Sequence, residues 1–346
     1  MDSSVTAALL AEDGWDVTGV TFRLWKDDEM PQSIQQSSPW VEAGKVCDLL
    51  HIPHQVLDVS EKFEREIRCN FETEYFSGST PNPCVHCNTL IKWNSLLEFA
   101  EINGIKKVST GHYARIIENA NGEFELRKGL DNRKDQSYFL WRLSSRFLER
   151  TILPLGTRTK TEVRNLAARM SLPVAQRDES QEICFIPDND YRKWLECRKP
   201  GYMREFLGGE MVDAEGKVIG QHEGFPLFTI GQRKGLGLGG GSKLYVTSLD
   251  PLSRKVTVGN SEDLESDTFT INKLNVLVKQ PLEEFNNLTV KIRYRDPGVP
   301  AIVKCSDVEG ERIVNTLKPV SAITPGQSAV LYDGDRVVAG GIIMRK

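Results

Sequence analysis

Strand and helix signals alternate through the first half of this 346-residue chain, and this alternation constrains its fold more than any other feature. Asp16–Phe22, His54–Val59 and Lys107–Thr110 are short apolar runs rich in β-branched residues, which are typical of buried parallel strands. Helical spacing of apolar residues occupies the stretches between them, at Val41–Leu50 and Leu90–Ile102. This order predicts a doubly wound parallel α/β sheet, a fold that binds its ligands at the carboxyl ends of the strands.

The pattern changes after about Pro187, where short β runs replace the alternation. Gly231–Gly241 is rich in glycine, and Lys243–Val258 alternates between apolar and polar residues like paired strands. From about Phe269 onward, β runs such as Val290–Tyr294 are separated by Gly, Pro and Asp. We therefore predict a small β-rich central domain followed by a C-terminal β-barrel.

Composition places the chain among soluble globular proteins, because 39% of its residues are hydrophobic and 27% are charged. No apolar run approaches the ~20 residues that span a bilayer, and the first residues lack the layout of a signal peptide. We predict a cytoplasmic protein with reduced thiols and no membrane segment. The net charge of −4 argues against indiscriminate nucleic-acid binding, but it leaves room for a local basic surface that binds RNA.

Cys84 and Cys87 form a Cys-x-x-Cys motif among prolines and polar residues. No second pair follows at the spacing of a four-ligand zinc site, which argues against bound zinc. Cys87 precedes a helix that we predict to begin near Asn88. The dipole at a helix start favours thiolate over thiol, so Cys87 is a candidate nucleophile or acid–base group.

Cys184 lies between an acidic polar stretch and the apolar Phe185. An isolated cysteine is more often a buried small hydrophobic residue than a reactive thiol. Two reachable thiols far apart in sequence leave sulfur chemistry, a metal site and a structural bridge open. The seven cysteines are irregularly spaced and odd in number, which argues against a disulfide framework.

Three further segments carry polar groups suited to phosphate or RNA. Asp2 and Ser3 open a helix whose first backbone amides suit a phosphate, although such residues more often only cap a helix. Gly111 and His112 directly follow a predicted strand, and the glycine allows a nucleotide to approach closely. Lys134–Leu140 combines charge, amides and aromatic rings, which suits RNA, with an ordinary helix cap as the alternative.

Taken together, these segments resemble the tRNA-specific 2-thiouridylases of the ATP-pyrophosphatase superfamily. The segments that carry the resemblance, in chain order, are Pro81–Asn88 with Ile91 and Lys92, Thr110–Arg115, Lys134–Leu140, Ser180–Ile186 and Thr229–Leu236. The resemblance implies an adenine nucleotide alpha-hydrolase-like sheet in residues 1–188, a central tRNA-binding domain in residues 189–265 and a β-barrel in residues 266–346.

The resemblance implies a two-stage reaction on the wobble uridine of a tRNA. ATP, accompanied by Mg²⁺, adenylates the C2 oxygen of the base, and a persulfide then supplies sulfur at C2 as AMP leaves. The carbonyl oxygen is a poor leaving group, which explains the adenylation, and a second thiol is needed to cleave a persulfide. By position Cys184 carries the persulfide, and Cys87 is its catalytic partner, releasing sulfide or closing a transient Cys87–Cys184 disulfide.

The resemblance also assigns binding residues and partners. Nucleotide-binding positions are Asp2, Ser3, Phe22 and Gly111; residues around the target base are Asn82, Pro83 and Cys84; tRNA contacts are His112, Lys134, Asp135, Gln136, Arg293, Tyr294 and Gln327. The implied partners are a tRNA with a modifiable wobble uridine and a persulfide-relay donor protein. We expect the enzyme to be a monomer.

Two departures from the family pattern generate alternatives. The family begins with a strand and a Ser-Gly-Gly-x-Asp-Ser loop that grips the ATP phosphates, whereas this sequence begins at the x position with Met1. We expect that the start lies inside a longer reading frame and that the chain as written binds ATP poorly, which makes a non-catalytic tRNA-binding protein one alternative. Cys84 replaces an aspartate found in many members, so Cys84, Cys87 and Cys184 could hold an iron–sulfur cluster.

Overall fold

The computed structural model of the chain describes residues 1–26, 38–173, 183–186, 190–201, 203–206, 208–238 and 243–345. The chain divides into two compact units. The first unit comprises residues 1–68, 84–181 and 335–338, and the second comprises residues 69–83, 182–334 and 339–346. The backbone therefore passes from the second unit to the first between Pro83 and Cys84, directly before the Cys-x-x-Cys motif.

Helices and strands are numbered along the chain. The α-helices are α1 (Asp2–Glu12), α2 (Pro39–Leu49), α3 (Ser60–Phe63), α4 (Cys69–Phe76), α5 (Pro83–His86), α6 (Asn94–Ile102), α7 (Ser145–Glu149), α8 (Lys160–Arg169), α9 (Tyr191–Arg198) and α10 (Met203–Phe206). π-Helical segments occupy Glu64–Arg68 and Cys87–Trp93, and 3₁₀ turns occupy Ser137–Phe139, Pro154–Thr157, Phe225–Leu227, Glu262–Leu264 and Leu282–Glu284.

The strands follow the predicted change of character. They are β1 (Gly19–Arg23), β2 (His54–Asp58), β3 (Val108–Ser109), β4 (Ala114–Glu118), β5 (Phe124–Lys128), β6 (Thr151–Ile152), β7 (Gly209–Val212), β8 (Val218–His222), β9 (Tyr245–Asp250), β10 (Lys255–Gly259), β11 (Glu265–Val276), β12 (Leu288–Lys291), β13 (Val299–Cys305), β14 (Arg312–Ser321), β15 (Ser328–Asp333) and β16 (Arg336–Ile343).

Parallel strand pairs confirm the α/β class of the first unit. Strand β1 pairs with β2 in the register Gly19↔His54, and β3 pairs with β6 in the register Val108↔Thr151. Among the described residues these are two separate two-stranded sheets rather than one continuous doubly wound sheet.

Helix α1 is held by an apolar cluster. Its Val5 and Leu9 are buried against Val163 and Leu166 of α8, with Tyr113 in the same cluster. Fully burying one such aliphatic side chain contributes roughly 1.5–3 kcal/mol. Packing of this kind fixes the first turn of α1 relative to the loop that contains Tyr113, which matters for the site described below.

Helix α5, the π-helical segment Cys87–Trp93 and α6 follow one another without interruption over residues 83–102. Proline is tolerated in the first turn of a helix because its missing N–H is not needed there, and Pro83 opens this run. Trp93 is fully buried and donates its indole N–H to Thr151 Oγ1 at 2.7 Å. The run is thereby fixed to β6, the strand that contains Thr151.

The second unit contains two β structures. In the central region the strand order is β8-β7-β10-β9, with β7 and β10 parallel and the outer pairings antiparallel. Its apolar core includes Met211, Phe225, Val246 and Val256. In the C-terminal region six strands run in the order β11-β14-β13-β12-β15-β16, and pairing of β11 with β16 closes the barrel. Closure leaves no open strand edge and confirms the predicted barrel.

Helices α4 and α9 of the second unit pack through aromatic rings. Phe71 and Trp194 meet edge to face at 5.5 Å between centroids, and Tyr75 and Tyr191 stack at 4.4 Å. Within the described part of the chain, no helix combines the length and apolar character needed to cross a membrane.

Candidate thiol and nucleotide site

The Cys-x-x-Cys motif lies inside a helical run that begins earlier than the sequence predicted. Cys84 is in the first turn, at α5, and Cys87 lies one turn further along. The helix dipole acts mainly within the first turn, so its effect falls on Cys84 rather than on Cys87. The predicted helix start near Asn88 is therefore wrong by about one turn, because Pro83 opens the helix instead of ending a loop.

Desolvation by the surrounding protein raises the pKa of both thiols, although Cys84 is exposed and only Cys87 is buried. Cys87 is only 8% exposed, and burial raises its pKa to about 11, while the positive charge of Lys92 partly opposes this shift. Desolvation also raises the pKa of the Cys84 thiol, again opposed by Lys92. The electrostatics of the structure therefore favour a protonated Cys87 at neutral pH, contrary to the thiolate that the predicted helix start implied.

Lys92 is the cation next to these thiols. Its Nζ donates to Asn88 Oδ1 at 2.9 Å, and the buried Asn88 donates through Nδ2 to the carbonyl oxygen of Phe139 at 3.1 Å. These two hydrogen bonds fix the Lys92 ammonium group on the π-helical segment. Sequence analysis assigned no role to Lys92, although its i,i+4 spacing from Asn88 is a helix-pairing signal.

His112 lies against the same helical segment. Its ring centroid is 5.2 Å from that of Trp93, and its Nδ1 is 2.8 Å from Thr110 Oγ1. Burial holds the pKa of His112 well below its usual range, and the charge of Lys92 lowers it further. A neutral imidazole at this position is suited to hydrogen bonding with a base rather than to an ionic contact with phosphate.

A second cation contacts the Cys-x-x-Cys motif. Arg142 Nη1 is 3.2 Å from His86 Nδ1. Burial lowers the pKa of the Arg142 guanidinium, but a guanidinium remains charged at any physiological pH. The motif is thus flanked by two basic side chains, Lys92 and Arg142, in a protein whose net charge is −4.

Gly111 brings the first turn of α1 close to the loop after β3. A Cβ atom on Gly111 would lie 2.6 Å from the backbone nitrogen of Ser3 and 2.7 Å from the carbonyl carbon of Asp2. Only glycine fits this contact, because real Cβ atoms do not approach backbone so closely. Three of the four predicted nucleotide-binding residues, Asp2, Ser3 and Gly111, are therefore neighbours.

Phe22, the fourth residue of that set, belongs to a different cluster. It lies in β1 and packs against Leu96, Leu97 and Ala100 of α6 and against Val108 of β3. A role of Phe22 in binding the adenine ring stays a prediction.

Asp2 is fixed by a cation that the sequence analysis missed. Lys160 Nζ donates to both carboxylate oxygens of Asp2, at 2.7 and 2.8 Å, and the hydroxyl of Tyr113 donates to Oδ1 at 3.0 Å. Lys160 is only 7% exposed and stands at the start of α8, behind a capping box formed by Thr159 and Glu162. The positive end of the helix dipole repels a lysine in the first turn. A lysine at this position therefore indicates that another group, here Asp2, compensates its charge.

This end of the first unit fits the charged groups of a nucleotide. A helix start leaves backbone amides without intrahelical partners, and such amides bind phosphate. Lys160 adds a buried positive charge, and the Asp2 carboxylate is an oxygen ligand of the kind that Mg²⁺ takes.

The residues Lys134, Asp135 and Gln136 have partly structural roles. The buried Asp135 accepts hydrogen bonds from the backbone nitrogens of Gly129 and Ser137 and from the Ser137 hydroxyl. Gln136 Oε1 accepts from the Tyr113 nitrogen at 2.9 Å, which fixes the loop that carries His112. Their contacts with RNA, and that of Lys134, stay predictions.

Cys184 belongs to the second unit and is exposed. The next two residues, Phe185 and Ile186, are buried, and the Phe185 ring lies 5.3 Å from Phe71 and 5.1 Å from Trp194 between centroids. The preceding motif residues 180–182 lie outside the described residues. Cys87 and Cys184 belong to different units, so their joint action stays a prediction.

The remaining predicted residues also lie in the second unit, except Cys84. Gln327 Nε2 donates to the carbonyl oxygens of Thr80 and Pro81 at 2.9 and 3.1 Å. The exposed Arg293 donates to the carbonyl oxygens of Ser321 and Ala322. Asn82, Pro83 and Tyr294 are half-buried or buried. Two of the predicted tRNA-binding side chains, Gln327 and Arg293, are thus already bonded to backbone carbonyls.

The described residues contain no disulfide: none of the seven cysteines, all of which the structure describes, is in one. The disulfide expected from the resemblance is therefore not present in this state. Across the same described ranges, no group of three or more His, Cys, Asp or Glu side chains is arranged to hold a metal ion.

A charged cavity of about 450 Å³ lies at the carboxyl end of β2. It contains none of the predicted site residues, and Lys62, one of its cations, is paired with Glu98 at 3.1 Å. The residues that line it are Lys26, Asp58, Ser60, Glu61, Lys62 and Arg65. Its mixed charges give it no clear preference for an anion, and we assign it no role.

Three family models match successive parts of the chain. Residues 1–188 match the tRNA methyl transferase HUP domain, residues 202–260 the tRNA methyl transferase PRC-barrel domain and residues 266–343 the aminomethyltransferase beta-barrel domain. The fold and these matches define the class: a HUP-domain protein with a central domain that matches the PRC-barrel model and a C-terminal β-barrel.

Full-length relatives narrow the class. The chain is 43% identical over 350 residues to the tRNA-specific 2-thiouridylase MnmA of Chloroflexus aggregans, covering 100% of this chain and 96% of that relative. It is 45% identical to the tRNA-specific 2-thiouridylase MnmA of Heliobacterium modesticaldum, with 100% and 90% covered, and 44% identical to MnmA 1 of Caldanaerobacter subterraneus, with 100% and 96% covered. The chain belongs to the tRNA-specific 2-thiouridylase family.

Proposed function

We propose that this chain is a tRNA-uridine 2-sulfurtransferase that converts the wobble uridine of a tRNA into 2-thiouridine at the expense of ATP. Membership of the 2-thiouridylase family supports the activity. The full-length relatives do not favour the two alternatives, an iron–sulfur-dependent thiolase and a non-catalytic tRNA-binding protein.

One observation carries the mechanism. The adjacent residues Gly111 and His112 lie between two regions of the first unit: the first turn of α1, proposed to bind the nucleotide, and the π-helical segment that contains Cys87. Gly111 is in contact with the first turn of α1, and the His112 ring lies against the π-helical segment that begins at Cys87. A nucleotide bound at α1 and the Cys87 thiol would therefore lie on either side of the Gly111–His112 dipeptide. Both steps of the reaction act on the same base, so both groups have to lie close to it.

At the nucleotide end, the amides of the first turn of α1 and the Lys160 ammonium would bind the phosphates of ATP. Asp2 would hold the accompanying Mg²⁺, which supplies charge neutralisation of the phosphates when bound. Attack of the uridine O2 on the α-phosphorus then expels pyrophosphate and leaves AMP on the base as a leaving group. The Asp2 carboxylate and the Lys160 ammonium are already paired at 2.7 Å, so both groups lie at the proposed phosphate site.

At the thiol end, a donor protein would place a persulfide on Cys184, whose side chain is exposed. Its terminal sulfur attacks C2 of the activated base and AMP leaves. The Cys87 thiolate then attacks Cys184 Sγ, which releases the thiolated base and forms a Cys87–Cys184 disulfide. Alternatively Cys87 attacks the persulfide first and frees sulfide, which attacks C2; the same disulfide forms. In both routes an external thiol reductant must reduce that disulfide before the next turnover.

Because burial keeps Cys87 protonated at neutral pH, its proton has to leave before it attacks sulfur. Lys92 assists by favouring the thiolate. The neutral His112 at the other side of the segment is suited to hydrogen-bond the target base, and Asn82, Pro83 and Cys84 would surround that base. The base must leave its stack to reach these residues.

The remaining expectations complete the proposal. We propose domain boundaries at residues 1–188, 189–265 and 266–346, which the ranges of the family matches support. We propose further that Lys134, Asp135, Gln136, Arg293 and Tyr294 contribute to tRNA binding, that a persulfide-relay protein is the sulfur donor, and that the enzyme is a cytoplasmic monomer.

The test is a complete reaction with the full chain, ATP, a persulfide donor, a thiol reductant and unmodified tRNA. We expect 2-thiouridine on nucleoside mass spectrometry, with one AMP and one pyrophosphate released per modified base, at ATP concentrations high enough to offset the weak ATP binding expected without the Ser-Gly-Gly of the phosphate loop. Omitting ATP or the donor should abolish it. A methylated nucleoside, or tRNA binding without any thiolation, would overturn the proposal.

A further inference from the structure

The residues proposed to contact tRNA at 134–136 lie in a turn that Asp131 closes, within the first unit. The backbone nitrogen of Lys134 donates to the carbonyl oxygen of Asp131 at 2.9 Å. One carboxylate oxygen of Asp131, Oδ1, accepts from the backbone nitrogen of Arg133 at 3.1 Å. Aspartate is common in turns because its side chain can bind the amide two residues further on. Asp131 therefore fixes the backbone of Lys134, and residues 131–136 are called the 131–136 turn below.

The second carboxylate oxygen of Asp131 reaches helix α8. Asp131 Oδ2 accepts from the backbone nitrogen of Lys160, the first residue of α8, at 3.0 Å. Amides in a first helical turn have no intrahelical partner. The capping box of α8 serves the nitrogens of Thr159 and Glu162 and leaves that of Lys160 to another acceptor. One carboxylate thus joins the 131–136 turn to the helix that carries Lys160.

The other end of the 131–136 turn is bonded to Tyr113. The Gln136 nitrogen donates to the Tyr113 carbonyl oxygen at 2.8 Å, and Gln136 Oε1 accepts from the Tyr113 nitrogen at 2.9 Å. The Tyr113 hydroxyl and the Lys160 ammonium both donate to Asp2 Oδ1, at 3.0 and 2.7 Å. The Lys160 ammonium also lies 5.4 Å from the centroid of the Tyr113 ring. Each end of the turn therefore leads, through one further residue, to the Asp2 carboxylate.

The entry of the 131–136 turn is closely packed. A Cβ atom on Gly129 would lie 2.7 Å from the Tyr113 carbonyl oxygen, and the Leu130 nitrogen donates to the Gly156 carbonyl oxygen at 2.9 Å. Inside the turn, the buried Asp135 accepts from the Gly129 nitrogen at 3.0 Å. Closely packed protein transmits a displacement to its neighbours. A shift of the turn therefore reaches Tyr113 and the start of α8.

We propose that Asp131 is a positioning residue that couples the two substrates of the proposed reaction. It joins the turn that contacts tRNA to Lys160 at the nucleotide site, so that each substrate strengthens the binding of the other. This inference rests on the proposed function, because the turn and Lys160 bind tRNA and ATP only under that proposal.

The shared carboxylate makes the coupling positive. A phosphate on the Lys160 ammonium favours the ordered start of α8, and a tRNA on Lys134 favours the closed turn. Asp131 makes both of its side-chain bonds only when the turn and the helix start are in place together. The substrate that binds first meets part of the ordering cost, so the second binds more tightly. By linkage, the two substrates raise each other's affinity by the same factor.

A purely structural role of Asp131 leads to a different expectation. A carboxylate at a helix start stabilises the helix through its unpaired amides and its dipole. Removal of such a group would lower the melting temperature and leave the mutual effect of ATP and tRNA unchanged. The two roles are therefore distinguished by the coupling factor, which is the ratio of the tRNA dissociation constants without and with nucleotide.

The coupling factor is measured on the full chain by filter binding of unmodified tRNA. The nucleotide is a saturating ATP analogue with a methylene group between its α- and β-phosphates, which cannot be cleaved there and so separates binding from adenylation. Coupling factors between sites are typically about 5–150-fold, and we expect at least about fivefold for the wild type. In equilibrium dialysis, tRNA should tighten binding of the analogue by the same factor. Equal tRNA dissociation constants with and without the analogue would overturn the proposal.

Two variants of Asp131 and one control test its part in the coupling. Asp131→Ala removes both side-chain bonds and should lower the coupling factor to below about twofold, while tRNA binding without nucleotide stays close to that of the wild type. Asp131→Asn should give an intermediate factor, because its amide nitrogen cannot accept the second N–H. Asn119, in the turn between β4 and β5, likewise accepts from two backbone nitrogens, those of Asn121 and Glu123. Asn119→Ala is therefore the matched control and should keep the wild-type factor.

Melting temperatures show whether each variant is folded, and Asp131→Asn carries the test if Asp131→Ala does not fold. A wild-type coupling factor in the folded Asp131 variants, or an equal loss in Asn119→Ala, would overturn the proposal. A wild-type chain that does not thiolate tRNA refutes the proposed function. An active wild type whose coupling does not depend on Asp131 refutes this inference only.

Discussion

The regions around Cys87 and Cys184 differ in exposure and in local structure, two properties that govern thiol chemistry. Cys87 lies one turn inside a continuous helical run, is almost completely buried and has a raised pKa. Cys184 is exposed and is followed by two buried residues, Phe185 and Ile186. Under the proposed function this division is useful. A thiol that receives sulfur from another protein has to be reachable, and a thiol that attacks a persulfide only at the right moment is better kept protonated and shielded.

The largest effect should come from removing either thiol. Cys87→Ser and Cys184→Ser should each lower thiolation by at least about 10³-fold, because a hydroxyl neither carries a persulfide nor attacks one at useful rates. Nucleoside mass spectrometry measures the product. Cys305→Ser, at an exposed cysteine of the barrel, is the matched control and should stay active.

The mass of the intact protein after treatment with the persulfide donor shows which cysteine carries the persulfide and which one attacks it. Cys87→Ser should still gain the mass of one sulfur atom, whereas Cys184→Ser should not. The reverse pattern would exchange the roles of the two cysteines, and full activity in either variant would remove the relay altogether.

Alkylation should show the next largest difference. At about pH 7.5, a thiol with a pKa of about 11 is less than about 0.1% thiolate, so we expect iodoacetamide to modify Cys87 at least about 10²-fold more slowly than Cys184. Peptide mass spectrometry follows each site, with the exposed Cys197 as an internal standard. Equal rates at Cys87 and Cys184 would show that burial does not shield Cys87 in solution.

Much of this comparison could be predicted from sequence. What could not be predicted depends on tertiary contacts between residues that are distant in sequence. The α/β class and the barrel followed from periodicity and turn residues, whereas the roles of the two cysteines come from the family resemblance and stay predictions. The ionisation of Cys87 could not be predicted, because it depends on burial and because the helix begins at Pro83 rather than near Asn88, where the sequence predicts it. Lys160 was missed for the same reason. Its partner Asp2 is distant in sequence, and only the packing of α1 against α8 brings them together.

The pH dependence of sulfur transfer should reveal the buried thiol. Below its pKa, the thiolate fraction of Cys87 rises about tenfold for each pH unit, so the single-turnover rate should rise with that slope between about pH 7 and about pH 9. Lys92→Met removes the charge that favours the thiolate, and it should slow the reaction by about 3–10-fold at fixed pH. Lys92→Arg keeps the charge and is the control. A pH-independent rate would mean that Cys87 deprotonation does not limit sulfur transfer.

The smallest expected effect concerns the anchoring of Cys184. Phe185→Leu keeps an apolar side chain but loses the ring contacts with Phe71 and Trp194, which are worth about 0.5–1.5 kcal/mol per pair beyond buried area. We expect the free energy of unfolding of the second unit to fall by about 1–2 kcal/mol in urea titrations. Ile186→Val is the control and should cost about 0.5–1.5 kcal/mol without altering any ring contact.

If the rings also hold the exposed thiol in place, Phe185→Leu should slow persulfide loading of Cys184 more than Ile186→Val does. Identical loading rates would leave the rings a purely stabilising role, and the contrast between the two cysteines would then rest on exposure alone.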